Sequence, residues 1–95
     1  MLVELAVGDA YGAGFEYVPA EMVRERNDLS WYVQHPRHTI RPGCYTDDTQ
    51  MSIAIAEAVV SGEAWTPLML AEKFVAAFKR DPREGYARGF YGFLQ

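Results

Sequence analysis

Two adjacent carboxylates stand between two hydroxyl groups in the segment Thr46-Asp47-Asp48-Thr49. The segment follows a polar stretch and precedes apolar residues at helical spacing, so it falls at the head of a predicted helix. Hard divalent cations such as Mg²⁺, Mn²⁺ or Ca²⁺ prefer oxygen ligands of this kind. Because the start of a helix fixes the directions of its side chains, the pattern predicts one part of a metal site.

The electrostatic cost of placing Asp47 beside Asp48 depends on their surroundings. Carboxylates about 5 Å apart repel by roughly 3 kcal/mol at an effective dielectric constant of about 20, which is equivalent to about two pKa units. In a cleft, uptake of a proton or binding of a divalent cation would offset this repulsion. In open water the repulsion falls below about 1 kcal/mol and requires no partner.

Helix capping is the alternative interpretation of the same residues. Thr46 or Asp47 is a suitable N-cap, and Gln50, three residues after Asp47, completes a capping-box pattern. Acidic residues in a first turn also interact favourably with the helix dipole. Under this interpretation the chain is a non-catalytic helical interaction module. One acid is sufficient for a cap, however, and the segment offers two.

The apolar pattern predicts an all-α fold, a partial helical bundle that forms one domain over residues 1–95. The first helix has apolar side chains on most faces and is therefore expected to be buried. Gly12 and Gly14 are expected to end it through a left-handed exit. No strand is predicted, and the helical segments are residues 1–11, 20–26, 47–60, a segment that starts at Pro67 after a Thr66 cap and ends at Asp81, and residues 86–94.

Composition excludes several classes of protein. An apolar content of 49% is too high for a disordered chain, and a net charge of −4 without a charged run excludes a nucleic-acid footprint and disfavours anionic lipid. The single cysteine, Cys44, excludes an intrachain disulfide and fits a reducing compartment. We therefore expect a cytoplasmic protein without nucleic-acid or membrane partners.

Residues 27–43 are rich in Pro, Arg, His and aromatic residues and show no period, which predicts a long loop. Long ordered loops in small domains are usually functional. His35 and His38 lack a third His or a Cys partner, so zinc binding is not expected and ordinary loop histidines are. Arg37, His38 and Arg41 form a basic patch near the Asp pair, suited either to a pyrophosphate or to solvent.

The segment from Gly8 to Glu16 is the second informative stretch, with further glycines at Gly12 and Gly14. Its order, helix into loop, is the reverse of a phosphate-binding loop and excludes a Rossmann or Walker motif. Asp9 lies on an otherwise apolar helix, where an unpaired carboxylate is costly, so we expect it to pair or to cap. Glu16 lies just beyond the exit, either at the surface or facing a site.

Residues 8–16 and 46–51 together resemble the N-terminal signature of the ADP-ribosylglycohydrolases, and residues 85–90 are similar to a glycine-rich stretch further along such proteins. The resemblance implies an all-α domain that binds two Mg²⁺ or Mn²⁺ ions in a central cleft. It implies that Thr46, Asp47 and Asp48 are metal ligands. It also makes Glu16 and Asp48 the candidate catalytic residues, with Glu16 as a further ligand or as the group that orients or activates water.

The resemblance further implies a hydrolase that removes ADP-ribose from modified proteins or small molecules by cleaving an N- or O-glycosidic bond at the anomeric carbon of ribose. Members of the family complete their site with an Asp-x-Asp motif followed by Thr or Ser, and these 95 residues contain no such motif. We therefore expect the chain to correspond to the opening third of such a domain. The C-terminal part of the same domain would be its partner, and the isolated chain would be inactive.

Overall fold

A computed structural model describes all residues from Met1 to Gln95 and contains five α-helices and no strand. This confirms the predicted all-α fold. Residues 27–46 contain neither helix nor strand, as predicted for residues 27–43. The helices are α1 (Leu2–Ala13), α2 (Ala20–Arg26), α3 (Asp47–Ser61), α4 (Pro67–Arg80) and α5 (Arg88–Leu94).

The third helix, α3, is the centre of the packing, because it lies against both α1 and α4, while α5 lies against α4. Ala54 and Ala58 of α3 are almost completely buried, at 1% and 0% exposure. Their small side chains allow α4 to approach closely with Ala77 and Phe78, which are also buried. Gly62 ends α3 in the left-handed conformation, at φ 69°, as expected for a C-terminal glycine.

The predicted start of α4 is confirmed. Thr66 is the N-cap, its hydroxyl accepts a hydrogen bond from the backbone N–H of Met69 at 3.0 Å, and Pro67 occupies the first helical position. The last helix, α5, begins at Arg88 and not at Tyr86 as predicted, because the Tyr86 hydroxyl donates to the Gln50 side chain of α3 at 2.8 Å and holds Tyr86 outside the helix.

Gly14 ends α1 as predicted, but the predicted left-handed exit is wrong. The helix continues through Gly12 to Ala13, and Gly14 has a right-handed conformation with φ −68°. The left-handed residue of this exit is instead Tyr17, at φ 55°. Gly14 is required for space, because a Cβ there would collide with the backbone carbonyl of Val33.

The prediction that α1 is buried is also wrong for these 95 residues, since only α3 packs against it. Its buried residues are Ala10 and Ala13, whereas Val3 is 72% exposed. The total accessible surface is 6521 Å², against about 5,500 Å² for a compact monomer of this mass. An apolar groove of about 860 Å³ lies between α1 and α3 and is lined by nine hydrophobic residues that include Leu2, Leu5, Ile55 and Val59.

None of the five helices combines the length and the apolar character that crossing a membrane requires.

Candidate functional site

A cleft of about 690 Å³ lies between the C-terminal half of α1 and the first turn of α3. It brings together all four residues that the sequence marked as candidates: Glu16, Thr46, Asp47 and Asp48. Its twelve lining residues include five acids and no Lys, Arg or His. These acids are Glu4, Asp9, Glu16, Asp47 and Asp48. The cleft is therefore a site of strongly negative potential.

Asp9 of α1 organises the wall of this cleft. Its Oδ2 accepts hydrogen bonds from the backbone N–H groups of Thr46 (2.8 Å) and Thr49 (3.2 Å) and from the Thr49 hydroxyl (2.7 Å). Its Oδ1 accepts from the Thr46 hydroxyl at 2.6 Å. The prediction that Asp9 pairs or caps is confirmed, and the helix that it caps is α3, 37 and more residues further along the chain.

The predicted capping box is wrong. Thr46 is the N-cap of α3, but its side chain makes no capping hydrogen bond, because the hydroxyl donates to Asp9. Gln50 does not reach back either: its amide donates to the Ala77 carbonyl of α4 at 3.1 Å, and its Oε1 accepts from the Tyr86 hydroxyl. Asp9 supplies the acceptor that a capping residue would otherwise provide. The Asp47 and Asp48 side chains are therefore not needed for capping.

The pKa values of two carboxylates of the cleft, Asp9 and Asp47, are shifted in opposite directions. Burial raises the pKa of Asp9, but the hydrogen bonds from Thr46 and Thr49 outweigh burial, so the pKa lies below its usual value. At Asp47, burial and then the charges of Asp48 and Asp9 raise the pKa above its usual value. Asp9 is thus stabilised as an anion, whereas the ionised Asp47 is held in a field that disfavours it.

The second wall of the cleft is formed by the segment before α5. The backbone N–H of Asp47 donates to the carbonyl of Glu84 at 2.9 Å. Gly85, at φ 108°, places its backbone directly against the Asp47 carboxylate, so that a Cβ would collide with Oδ1. Burial and then the charges of Asp47 and Tyr45 raise the pKa of Tyr86 to about 12, so this phenol remains a hydrogen-bond donor.

The sequence did not identify Glu4 or Gly85 as part of the site. Glu4 gives no signal that separates it from a surface residue in a first turn. Gly85 gave one, since it opens the glycine-rich stretch of residues 85–90, but only the long-range contact with Asp47 reveals its function.

The acids of the cleft have the chemistry of a cation site. None of the four ion pairs in the protein involves Asp47, Asp48 or Glu16. The Thr46 hydroxyl donates a hydrogen bond to Asp9, so the lone pairs of its oxygen remain free to bind another partner. No group of three or more His, Cys, Asp or Glu side chains is placed to hold a metal ion by itself. The residues fit part of the coordination shell of a hard cation.

The predicted basic patch does not border the cleft. The Arg37 guanidinium donates to the carbonyl of Tyr17 at 2.7 Å, and the His38 ring contacts the carbonyl of Ala13 at 3.1 Å. Arg41 lines a separate pocket of about 270 Å³. These residues therefore do not form one phosphate site beside Asp47 and Asp48.

We predict that Asp9→Asn lowers the free energy of unfolding at pH 7 by about 2 kcal/mol, because an amide cannot accept all four hydrogen bonds. The pKa of Asp9 is depressed in the fold, so its contribution is complete above the unfolded pKa of about 3.9 and is lost as the pH falls through the folded value. Urea unfolding between pH 7 and pH 2.5 measures the difference. Glu25→Gln, the same change at an exposed carboxylate that takes part in no ion pair, should leave it unchanged.

We predict that Asp47→Asn raises the urea midpoint of the metal-free chain at pH 7, because the substitution removes a charge that the fold disfavours. The pKa of Asp47 is raised in the fold, so its ionisation costs stability as the pH rises above the unfolded value of about 3.9. The gain should vanish at pH 3. Asp28→Asn is the control, because hydrogen bonds from Ser30 lower the pKa of Asp28 and its loss should not stabilise. A lower midpoint for Asp47→Asn at pH 7 would contradict the prediction.

The chain is similar to curated proteins that are described as ADP-ribosylhydrolases. The chain is 32% identical to the ADP-ribosylarginine hydrolase Tri1 of Serratia proteamaculans over 89 residues, which are 94% of this chain and 23% of that protein. It is 39% identical to the ADP-ribosylhydrolase ARH3 of Bos taurus over 46 residues, 48% of this chain and 13% of that protein. The chain thus spans less than a quarter of the length of these relatives. No solved structure matches it.

The family model described as ADP-ribosylglycohydrolase matches residues 1–93. The match includes α1, the acidic cleft and the glycine-rich stretch before α5. The resemblance that the two sequence motifs indicated is confirmed, and the chain belongs to the ADP-ribosylglycohydrolase family.

Proposed function

We propose that the acidic cleft of this chain is one part of a divalent-metal site in a hydrolase that removes ADP-ribose from modified proteins or small molecules. The observation that supports the proposal most is the lining of the cleft, which contains five carboxylates and no basic side chain. Family membership supports the substrate, an ADP-ribosyl group. A cation would balance the charges of Glu16, Asp47 and Asp48, which belong to no ion pair of the protein.

Thr46, Asp47 and Asp48 would hold Mg²⁺ or Mn²⁺ through their side-chain oxygens, and Glu16 would be a further ligand from the α1 side of the cleft. The Asp9 hydrogen bonds fix the backbone and the hydroxyl of Thr46, so that one ligand is already oriented before a cation binds. When bound, the cation would orient hydroxyl groups of the substrate and act as a Lewis acid. In a complete site we propose two such ions.

Glu16 and Asp48 are the proposed catalytic residues. Glu16 is exposed on the α1 side of the cleft, opposite the first turn of α3. Its carboxylate would accept a proton from a water molecule as that water adds to the anomeric carbon of ribose. The departing N- or O-linked group would leave with the bonding electrons and take up a proton, and Glu16 would return its own proton to solvent. Asp48 would help to orient that water through a carboxylate oxygen.

The remaining ligands are proposed to come from a further segment of an ADP-ribosylglycohydrolase domain that packs on this chain. Three side chains of one turn are too few for a two-ion site. The apolar groove between α1 and α3 would receive the partner, because its lining is almost wholly hydrophobic. The single half-buried thiol of Cys44 supports a reducing, cytoplasmic location for the assembly.

We predict that Mn²⁺ or Mg²⁺ produces a binding heat in calorimetry with the wild-type chain and none with the double variant Asp47→Ala/Asp48→Ala, because the variant lacks both charged ligands. Affinity should be weak, in the range of 10⁻⁴ to 10⁻³ M known for sites with few ligands. Glu72→Ala is the matched control, an exposed acid of α4 outside the cleft, and should bind like wild type.

The alternative function, a non-catalytic helical interaction module, predicts no metal-dependent heat in any of these proteins. Equal heats for the wild type and the double variant would likewise exclude the proposed ligands.

We predict that the chain Met1–Gln95 alone releases no ADP-ribose from peptides that bear ADP-ribosylarginine or ADP-ribosylserine in the presence of Mn²⁺, because its ligand set is incomplete. Chromatographic detection of free ADP-ribose is the measurement. The double variant Asp47→Ala/Asp48→Ala gives the background rate, and wild-type release above that background would show that the 95 residues suffice.

A further inference from the structure

Three backbone carbonyls at the exit of α1 are each bound by a side chain of the long loop. The ring Nε2 of His38 contacts the carbonyl of Ala13 at 3.1 Å, and the ring Nε2 of His35 contacts the carbonyl of Glu16 at 2.7 Å. The Arg37 guanidinium donates to the carbonyl of Tyr17 at 2.7 Å. A stretch of four residues thus holds the segment from which Glu16 enters the cleft.

The hydrogen bonds of His35 fix the identity of both its nitrogens. Its Nδ1 accepts from the backbone N–H groups of Arg37 (3.0 Å) and His38 (3.3 Å), so this nitrogen bears no proton. The carbonyl of Glu16 can only accept, so Nε2 bears the proton and donates it. His35 is 6% exposed, and its ring stacks on that of His38 at 3.9 Å. The His35 ring is therefore buried, and both of its nitrogens are hydrogen-bonded.

The segment that receives these bonds needs support from outside, because it contains a conformation that bulky residues avoid. Tyr17 has a left-handed backbone, φ 55°, which costs roughly 1 to 2 kcal/mol for an L-residue. Its carbonyl is the one bound by Arg37. The loop approaches so closely that residue 14 has no room for a Cβ beside the Val33 carbonyl. Packing and hydrogen bonds from the loop therefore impose the path of residues 14–17.

We propose that His35, with Arg37 and His38, is a positioning residue for Glu16: the loop fixes the backbone of Glu16 and thereby the direction in which its carboxylate enters the acidic cleft. The Glu16 side chain is exposed and belongs to no ion pair. Its direction depends on the backbone that bears it, and His35 binds that backbone. This inference rests on the proposed function only for the role of Glu16 in the cleft; the contacts between the loop and residues 13–17 do not depend on it.

A double-mutant cycle tests the proposal in the chain Met1–Gln95, with the Mn²⁺ dissociation constant measured by water-proton relaxation. His35→Ala should weaken Mn²⁺ binding about tenfold, the lower end of the range for outer-shell partners of metal ligands. In a Glu16→Gln background the same change should alter binding less than about twofold, because the residue that it positions is already lost. His35→Gln, which retains an N–H donor near the position of Nε2, should restore most of the affinity.

Equal losses of affinity in the wild-type and Glu16→Gln backgrounds would overturn the proposal, because they would show general destabilisation. So would a His35→Gln variant as weak as His35→Ala. Arg37→Met is a second variant, and it should not impair folding because Arg37 is exposed. It should reduce Mn²⁺ affinity less than His35→Ala does, and only in the background that retains Glu16. Tyr11→Phe is the matched control, because the Tyr11 hydroxyl anchors Asn27 and Leu29 of the same loop without touching residues 13–17, and it should leave Mn²⁺ affinity unchanged.

Backbone ¹⁵N relaxation without metal separates failure of this proposal from failure of the proposed function. The order parameters of residues 15–17 should be near 0.85 in wild type and in Tyr11→Phe and should fall below about 0.6 in His35→Ala. If the wild type binds no Mn²⁺ but this loss of order is seen, the metal site is wrong and the positioning of Glu16 stands. If Mn²⁺ binds and the order is unchanged, the positioning is wrong and the metal site stands.

Discussion

The carboxylate of Asp9 joins the two helices on which the cleft depends. It is one charged group that accepts four hydrogen bonds from the first turn of α3, across 37 to 40 residues of chain. Charge-assisted bonds of this kind are stronger than those between neutral groups. The same contact caps α3, orients Thr46 and sets the separation between α1 and the Asp pair. Fold and site therefore share a single anchor.

The cleft shows a conflict between stability and the proposed chemistry. The fold favours the ionised form of Asp9, whose pKa is lowered. It disfavours the ionised form of Asp47, whose pKa is raised by burial and by the charges of Asp48 and Asp9. A fold selected only for stability would place a neutral side chain at position 47. Carboxylates that share a cleft and have pKa values shifted in opposite directions are typical of functional sites. The disfavoured charge is the physical reason to propose a cation there.

Much of the fold could be predicted from the sequence, because the helices depend on local patterns, and the four candidate residues do line one cleft. The apolar period of α3 and the Thr66-Pro67 start of α4 are encoded within a few residues. The right-handed conformation of Gly14 at the exit of α1 could not be predicted, since the distant Val33 carbonyl requires a glycine there and a positive φ does not. The sequence could not show that the helix capped by Asp9 is α3, because an acceptor from another helix leaves no pattern at the capped turn.

The contact between Gly85 and Asp47 limits how this gene can vary. At φ 108°, and with the Asp47 Oδ1 where a Cβ would stand, position 85 favours glycine for two independent reasons, one torsional and one steric. Movement of the Asp47 side chain would relieve the steric conflict but not the torsional one. A substitution at position 85 would therefore strain the backbone and displace the acidic wall of the cleft at the same time.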